Sequence, residues 1–317
     1  MGHMQRREFL AATAALAASS AAPAGARPND GERMIDVGGG HRVWTQRVGQ
    51  GATKVLLLHG GPGFSHDYLA CFADFLPQAG FEIYFYDQLG CGRSDHPNDD
   101  RLWTLPRYLD EVEAVRRALG LEQFVLYGHS WGAILGIEYA LKYGQHLSKL
   151  VLSDMTAGIA DYIVYADRIR AQLPAKDRAT LAKYEALNKT DDPAYQAVIM
   201  RIYAQHVLRL PQWPKPVSYA IEHANQRIYN LMQGPNEFVI TGNLKNWDRW
   251  GDLHNIKTPT LVMGAKYDEM NPDSIRREGR LIPGAKTWIS EHGSHLCMWD
   301  DQKAYFAALL GFLKGAA

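Results

Sequence analysis

The chain has 317 residues, 46% of them hydrophobic and 21% charged, enough for one large domain or a core carrying an insertion. Lys+Arg and Asp+Glu balance at 34 each, and no basic patch or RNA-binding signature stands out, which argues against nucleic acid as a partner. Past the N-terminus no apolar run is long enough to span a bilayer.

Met1-Gly2-His3 reads as a cloning scar, with Met4 as the natural start. The pair Arg6-Arg7, the Ala-rich stretch over residues 11–22 and the small-x-small sequence Ala24-Gly25-Ala26 resemble a twin-arginine export signal. Residues 1–29 are therefore set apart from the fold, and the expected location is periplasmic, or cytoplasmic if the signal is not used. Cys71, Cys91 and Cys297 lie far apart with no Cys-x-x-Cys pair, so neither a disulfide framework nor a zinc site is expected. Unpaired thiols are compatible with export by this route, which carries proteins already folded.

Alternation from Met34 to Val48 around Gly38-Gly39-Gly40 predicts an opening hairpin. Val55-Leu56-Leu57-Leu58 is a continuous apolar run suited to a strand buried on both faces, and residues 81–86 form a second. A helix is expected over Tyr108–Leu119, closed by Gly120. A strand over Phe124–Tyr127, a helix over Ile134–Tyr143 and a strand over Lys149–Leu152 follow. Strands alternating with helices predict an α/β fold with a mostly parallel, doubly wound sheet. From 158 to 246 strand-like runs vanish and prolines interrupt helical patterns, which predicts a helical cap inserted into a core of residues 30–157 and 247–317. Strands resume at Thr260–Met263 and Thr287–Ile289, and an amphipathic helix over Gln302–Leu313 closes the chain.

Between the strand at 124 and the helix after it stands Gly128-His129-Ser130-Trp131-Gly132. Gly-x-Ser-x-Gly at a strand-to-helix turn is the nucleophile elbow of α/β-hydrolases. A serine on so tight a turn takes strained dihedrals, and side chains at the flanking positions would strike backbone. The hydroxyl needs a base, and the base needs an orienting acid, which in this fold follow in the order Ser, Asp or Glu, His. Asp268, just after the strand at 260, and His295, in the loop after the last strand, fit that order; Asp154 is the alternative acid and His292 the alternative base. Two backbone N–H groups must face the developing oxyanion. Trp131 supplies one. Gly61, within His59-Gly60-Gly61-Pro62-Gly63, supplies the other, and the adjoining Gly60 lets the backbone approach the substrate. An aspartate nucleophile, as in dehalogenases and epoxide hydrolases of this fold, is excluded by Ser130.

These segments, with Tyr86-Asp87-Gln88-Leu89-Gly90-Cys91-Gly92-Arg93-Ser94 and Gly234-Pro235-Asn236-Glu237-Phe238, resemble the proline iminopeptidase family over essentially the whole chain after residue 30. The likeness extends to tricorn-interacting aminopeptidases and amino-acid amidases. It implies a serine hydrolase without metal or organic cofactor, acting on small peptides or amino-acid amides. Acidic cap residues in that family bind the free α-ammonium group, and Glu237 matches one such position. A second acid is usual; Glu222 is a candidate, in a region that also holds His206 and His223. A carboxylesterase or lactonase with the same triad, and a non-catalytic ligand-binding relative, are the competing expectations.

Overall fold

Eight strands form a single sheet in the order β1-β2-β4-β3-β5-β6-β7-β8 in the computed structural model, which describes residues 31–315. The export-signal motif falls in residues 1–29, outside the described residues. β1 (Glu32–Asp36) and β2 (Arg42–Val48) make the expected hairpin, paired from Glu32–Gln46 to Asp36–Arg42. Gly38, Gly39 and Gly40 turn the chain with φ of 83°, 68° and 79°, a region open to glycine. β2 also runs antiparallel to β4 (Phe81–Tyr86), while β3 (Thr53–Leu58), β5 (Phe124–His129), β6 (Leu147–Ser153), β7 (Thr260–Ala265) and β8 (Lys286–Ser290) extend the sheet in parallel.

The central strands are buried on both faces, as their unbroken apolar runs require. Leu56, Leu58, Phe124, Leu126, Leu150 and Leu152 face one core, while Val55, Leu57, Val125, Tyr127 and Val151 face the other. Each such side chain contributes roughly 1.5–3 kcal/mol when fully buried. The first core is covered by α2 (Leu105–Leu119) and α3 (Trp131–Tyr143), the second by α1 (Phe72–Phe75) and the closing helix α11 (Gln302–Leu313).

Helix starts differ from the periodicity-based expectation. α2 begins three residues earlier than Tyr108, with Pro106 in its first turn, where a missing N–H costs nothing. Gly120, φ 65°, closes it as expected. α3 starts at Trp131 because the elbow leads straight into the helix.

Between β6 and β7 lie α4 (Ile159–Ala171), α5 (Ala175–Ala186), α6 (Pro193–His206), α7 (Lys215–Glu222) and α8 (Gln226–Met232), with no strand among them. Two further helices, α9 (Pro272–Leu281) and α10 (Cys297–Asp300), precede α11. The sequence reading missed α9; Asn271 caps it by accepting the Asp273 N–H at 3.1 Å, and Ile275 anchors it in the core. Among the described residues no helix is long and apolar enough to cross a membrane.

Candidate active site

Ser130 occupies the turn between β5 and α3 with φ 55° and ψ −124°, a conformation a non-glycine residue holds only under constraint. The constraint is visible on both sides. A Cβ at Gly128 would collide with the Gly132 carbonyl, and one at Gly132 with the Leu58 carbonyl of β3. The Ser130 N–H is fixed to the Ser153 carbonyl at 2.9 Å, tying the elbow to β6. Gly60 abuts the serine so closely that a Cβ there would lie 3.0 Å from the Ser130 Cβ.

The glycine-rich loop after β3 is held by a chain of hydrogen bonds whose direction is determined throughout. The Gly60 N–H donates to the Tyr68 hydroxyl at 2.5 Å, and Tyr68 lies 3.0 Å from His129 Nδ1. His129 Nε2 lies 2.9 Å from the His295 carbonyl, which can only accept, so Nε2 carries the hydrogen. Burial, reinforced by the nearby His295, holds the His129 imidazole well below its ordinary pKa and so neutral. Nδ1 therefore accepts from Tyr68. Gln88 braces the same region: its side-chain amide donates to the His59 carbonyl at 2.9 Å, and its Oε1 accepts the Trp131 indole N–H at 2.8 Å.

Both backbone groups of Gly60 are engaged, its carbonyl by His59 Nδ1 at 2.9 Å. It offers no free donor to a substrate, and its part is the close approach to Ser130. The N–H groups of Gly61 and Trp131 make no hydrogen bond among the described residues, which leaves both open to an incoming oxygen. Gly61 has φ 114°, and a Cβ there would crowd the Gly63 and Phe64 nitrogens.

His295 Nδ1 bonds Asp268 Oδ1 at 2.9 Å. The carboxylate can only accept, so Nδ1 carries the hydrogen and Nε2 keeps its lone pair. Burial alone would lower the imidazole's pKa; the Asp268 charge and hydrogen bond, with Glu237 beyond, outweigh it and raise the pKa above the ordinary value. The loop is pinned to the end of α6, where His295 and Leu296 donate to the carbonyls of His206 and Val207 at 3.0 and 2.9 Å. Asp154, the alternative acid, is fully buried beside Asp268, but the imidazole bonds Asp268. His292 is exposed and lies outside this cluster.

Glu237 is buried, on a tight loop between Asn236 and Val239. Asn236 shapes that loop by accepting the Phe238 N–H at 2.8 Å and donating to Tyr195 at 2.8 Å. The Tyr162 hydroxyl bonds both the Glu237 carbonyl and, at 3.2 Å, its Oε2. Tyr162 also reaches Glu269 Oε1 at 3.4 Å, and His295 Nε2 lies 3.7 Å from that oxygen. Glu269 is fully buried, and its Oε2 has no hydrogen-bond partner among the described residues. Desolvation raises the pKa of both glutamates, partly offset at Glu237 by His295; at Glu269 the neighbouring Glu237 and Asp268 charges push the same way. Among the described residues neither carboxyl is paired with a Lys or Arg, and both lie beside the imidazole.

Glu269 is the site residue the sequence reading missed. Its signal was its place directly after Asp268, at the same strand end. Glu222, the candidate for that part, is exposed at the end of α7, as is His223 next to it. His206 contributes its carbonyl to the His295 loop, while its ring Nδ1 faces the Tyr267 carbonyl at 3.0 Å.

The strand order, the elbow and the His–Asp pair at the sheet's C-terminal edge define an α/β-hydrolase. The family described as the α/β hydrolase fold matches residues 53–302. A proline iminopeptidase of Elizabethkingia meningoseptica is 42% identical over 282 residues, covering 87% of this chain and 95% of its own length. One of Saccharolobus solfataricus is 38% identical, with 84% and 86% covered. The crystal structure of proline iminopeptidase from Mycobacterium smegmatis superposes with a TM-score of 0.83 at 31% identity, covering 90% of this chain and 98% of that one. The chain belongs to the proline iminopeptidase family, and it is a hydrolase.

Proposed function

We propose that the protein is a serine aminopeptidase that releases the N-terminal residue, proline or another amino acid, from short peptides, or cleaves amino-acid amides or arylamides. One observation carries this reading: the buried carboxyls of Glu237 and Glu269 stand beside the His295 imidazole. A carboxylate pair there selects a substrate whose ammonium group sits on the α-carbon next to the scissile carbonyl.

In the proposed reaction Ser130 Oγ attacks that carbonyl while His295 Nε2 takes the hydroxyl proton. Asp268 holds the imidazole in the required tautomer and stabilises the imidazolium. The tetrahedral oxyanion lies against the Gly61 and Trp131 N–H groups. His295 returns the proton to the leaving amine, and water, deprotonated by the same nitrogen, hydrolyses the acyl-enzyme. We further propose export through Arg6 and Arg7, ahead of trimming near Ala26.

The test compares an aminoacyl anilide bearing a free amine with its N-acylated form. The aminopeptidase reading expects strong preference for the free amine. Equal turnover of both, or turnover confined to simple esters and lactones, would point to a carboxylesterase or lactonase.

A further inference from the structure

Asp268 carries a polar atom left without a hydrogen-bond donor at the centre of the site. Its Oδ1 receives the His295 Nδ1–H at 2.9 Å and the Met270 N–H at 3.0 Å. Its Oδ2 is buried and meets no donor among the described residues. Such an oxygen costs about 1–3 kcal/mol, more when charged, unless something supplies a hydrogen. The Asp154 side chain lies within hydrogen-bonding reach of the Asp268 carboxyl, whose Oδ2 is the oxygen left over.

Asp154 is built into this place at some strain. It is fully buried, and its φ of 55° puts a non-glycine residue in the left-handed region at the end of β6. Ser153 Oγ donates to its Oδ2 at 2.6 Å, and Cys297 Sγ lies 3.5 and 3.6 Å from its two oxygens. Behind Ser153, the Tyr305 hydroxyl is 3.0 Å away and is itself 2.6 Å from that of Tyr127. Tyr68 also faces it. Among the described residues no Lys or Arg pairs with Asp154. His129 Nε2 is 3.9 Å from Oδ2, but its hydrogen is directed to the His295 carbonyl.

Two carboxylates in contact in a dry interior cannot both ionise. Asp268 has the imidazole and a backbone N–H to stabilise a charge, whereas Asp154 has neutral hydroxyl and thiol neighbours. We infer that Asp154 is a positioning residue: a neutral carboxylic acid that donates its proton in a hydrogen bond to Asp268 Oδ2 and so holds that carboxylate square to His295. Burial first, and the neighbouring Asp268 second, raise the Asp154 pKa well above the ordinary carboxylate range, in agreement with that assignment. The same bond draws charge away from Oδ1, which moderates how strongly Asp268 retains a proton on the imidazole. The inference rests on the proposed triad but not on the identity of the substrate.

The experiment compares Asp154→Asn with Asp154→Gly. Asparagine and glycine both tolerate the left-handed backbone, so both variants are compatible with the native turn, and thermal melting checks each. Asparagine supplies a permanent neutral donor; glycine supplies none. We expect Asp154→Asn to keep kcat within about threefold of wild type, with an unchanged acid limb in the pH profile. Asp154→Gly should lose about tenfold or more in kcat with little change in KM, and its acid limb should move to higher pH, because a misplaced catalytic group costs rate rather than binding. Equal impairment of both variants would mean that the Asp154 charge is required and would overturn the inference; so would two variants indistinguishable from wild type. Each assay is run with an aminoacyl anilide and with a small activated ester. A wild type that turns over only the ester refutes the aminopeptidase reading and leaves this comparison intact.

Discussion

His129 Nε2 donates to the carbonyl of His295 at 2.9 Å, so the residue before the elbow serine holds the loop that carries the base. The other ring nitrogen is bonded to Tyr68, which accepts the Gly60 N–H. One neutral imidazole thus ties the glycine-rich loop, the elbow and the base loop together in a fixed sense. The rings of His129 and His295 pack at 4.8 Å between centroids. The three parts of the site lie on different loops, and their spacing is set by these bonds rather than by any one loop's own conformation.

Replacing Ser130 with Ala should abolish turnover and labelling by a fluorophosphonate while the melting curve stays near that of the parent, since the hydroxyl carries the bond-making step. Asp268→Asn should lower kcat by up to about 10⁴-fold by favouring the wrong imidazole tautomer. Near-normal turnover in Asp268→Asn would remove Asp268 from the triad.

The buried carboxyl pair gives a prediction with two readouts. Glu237→Ala and Glu269→Ala should each cut kcat/KM for aminoacyl anilides at least tenfold, since truncating one side of a buried charge pair costs about 2–5 kcal/mol. Both should spare a small ester without an amine. Burial raises both glutamate pKa values, and an ammonium ion bound between them would shift both toward the ionised form. Calorimetry of a product amino acid in buffers of different ionisation enthalpy should therefore detect proton release that grows as the pH is lowered; a heat independent of buffer at every pH would contradict this.

The pH dependence of kcat/KM should be bell-shaped. His295 acts as a base only when neutral, and its pKa lies above the ordinary imidazole value, so the acid limb should fall above about 6.5. The alkaline limb should follow loss of the substrate's ammonium proton, near about 8. With the ester substrate the alkaline limb should vanish. Its persistence there would assign it to the protein.

Glu278 on α9 is fully buried; among the described residues neither of its oxygens makes a well-formed hydrogen bond, and only the Ala157 backbone lies close enough to offset its burial in part. Burial raises its pKa well above the ordinary value. Protonation is therefore favoured in the folded state, and its stabilising contribution is complete at low pH and lost as pH rises through the raised value. Glu278→Met, similar in shape, should raise stability at neutral and alkaline pH by about 1–3 kcal/mol, the size of an unpaired buried polar group. The gain should shrink on acidification. Chemical denaturation at pH 5 and pH 8 checks both the size and the sign.

Export is tested in the cell. A precursor starting at Met4 should reach the periplasm and be trimmed near Ala26, and a variant with Lys at positions 6 and 7 should stay inside, because the arginine pair is read by a receptor. Normal processing of the twin-Lys variant would end the twin-arginine proposal.

Much of this molecule is legible in its sequence because the signals are local. The apolar runs at 55–58, 81–86 and 124–127 are strands buried on both faces wherever they lie in the chain. Gly128 and Gly132 mark the elbow because no side chain fits there, and Asp268 and His295 follow Ser130 in the order the fold uses. The helix at 272–281 escaped because its mostly polar residues make only a narrow apolar stripe. Tertiary structure alone decided which of two suitable aspartates bonds the imidazole, that Glu269 turns inward beside Glu237 while Glu222 stays in solvent, and that Gly60 has no free N–H. The reason is physical. A strand or tight turn follows from steric and burial preferences of neighbouring residues, whereas a hydrogen-bond partner or shared proton follows from distances across the sheet and under the helices, which exist only once the chain has folded.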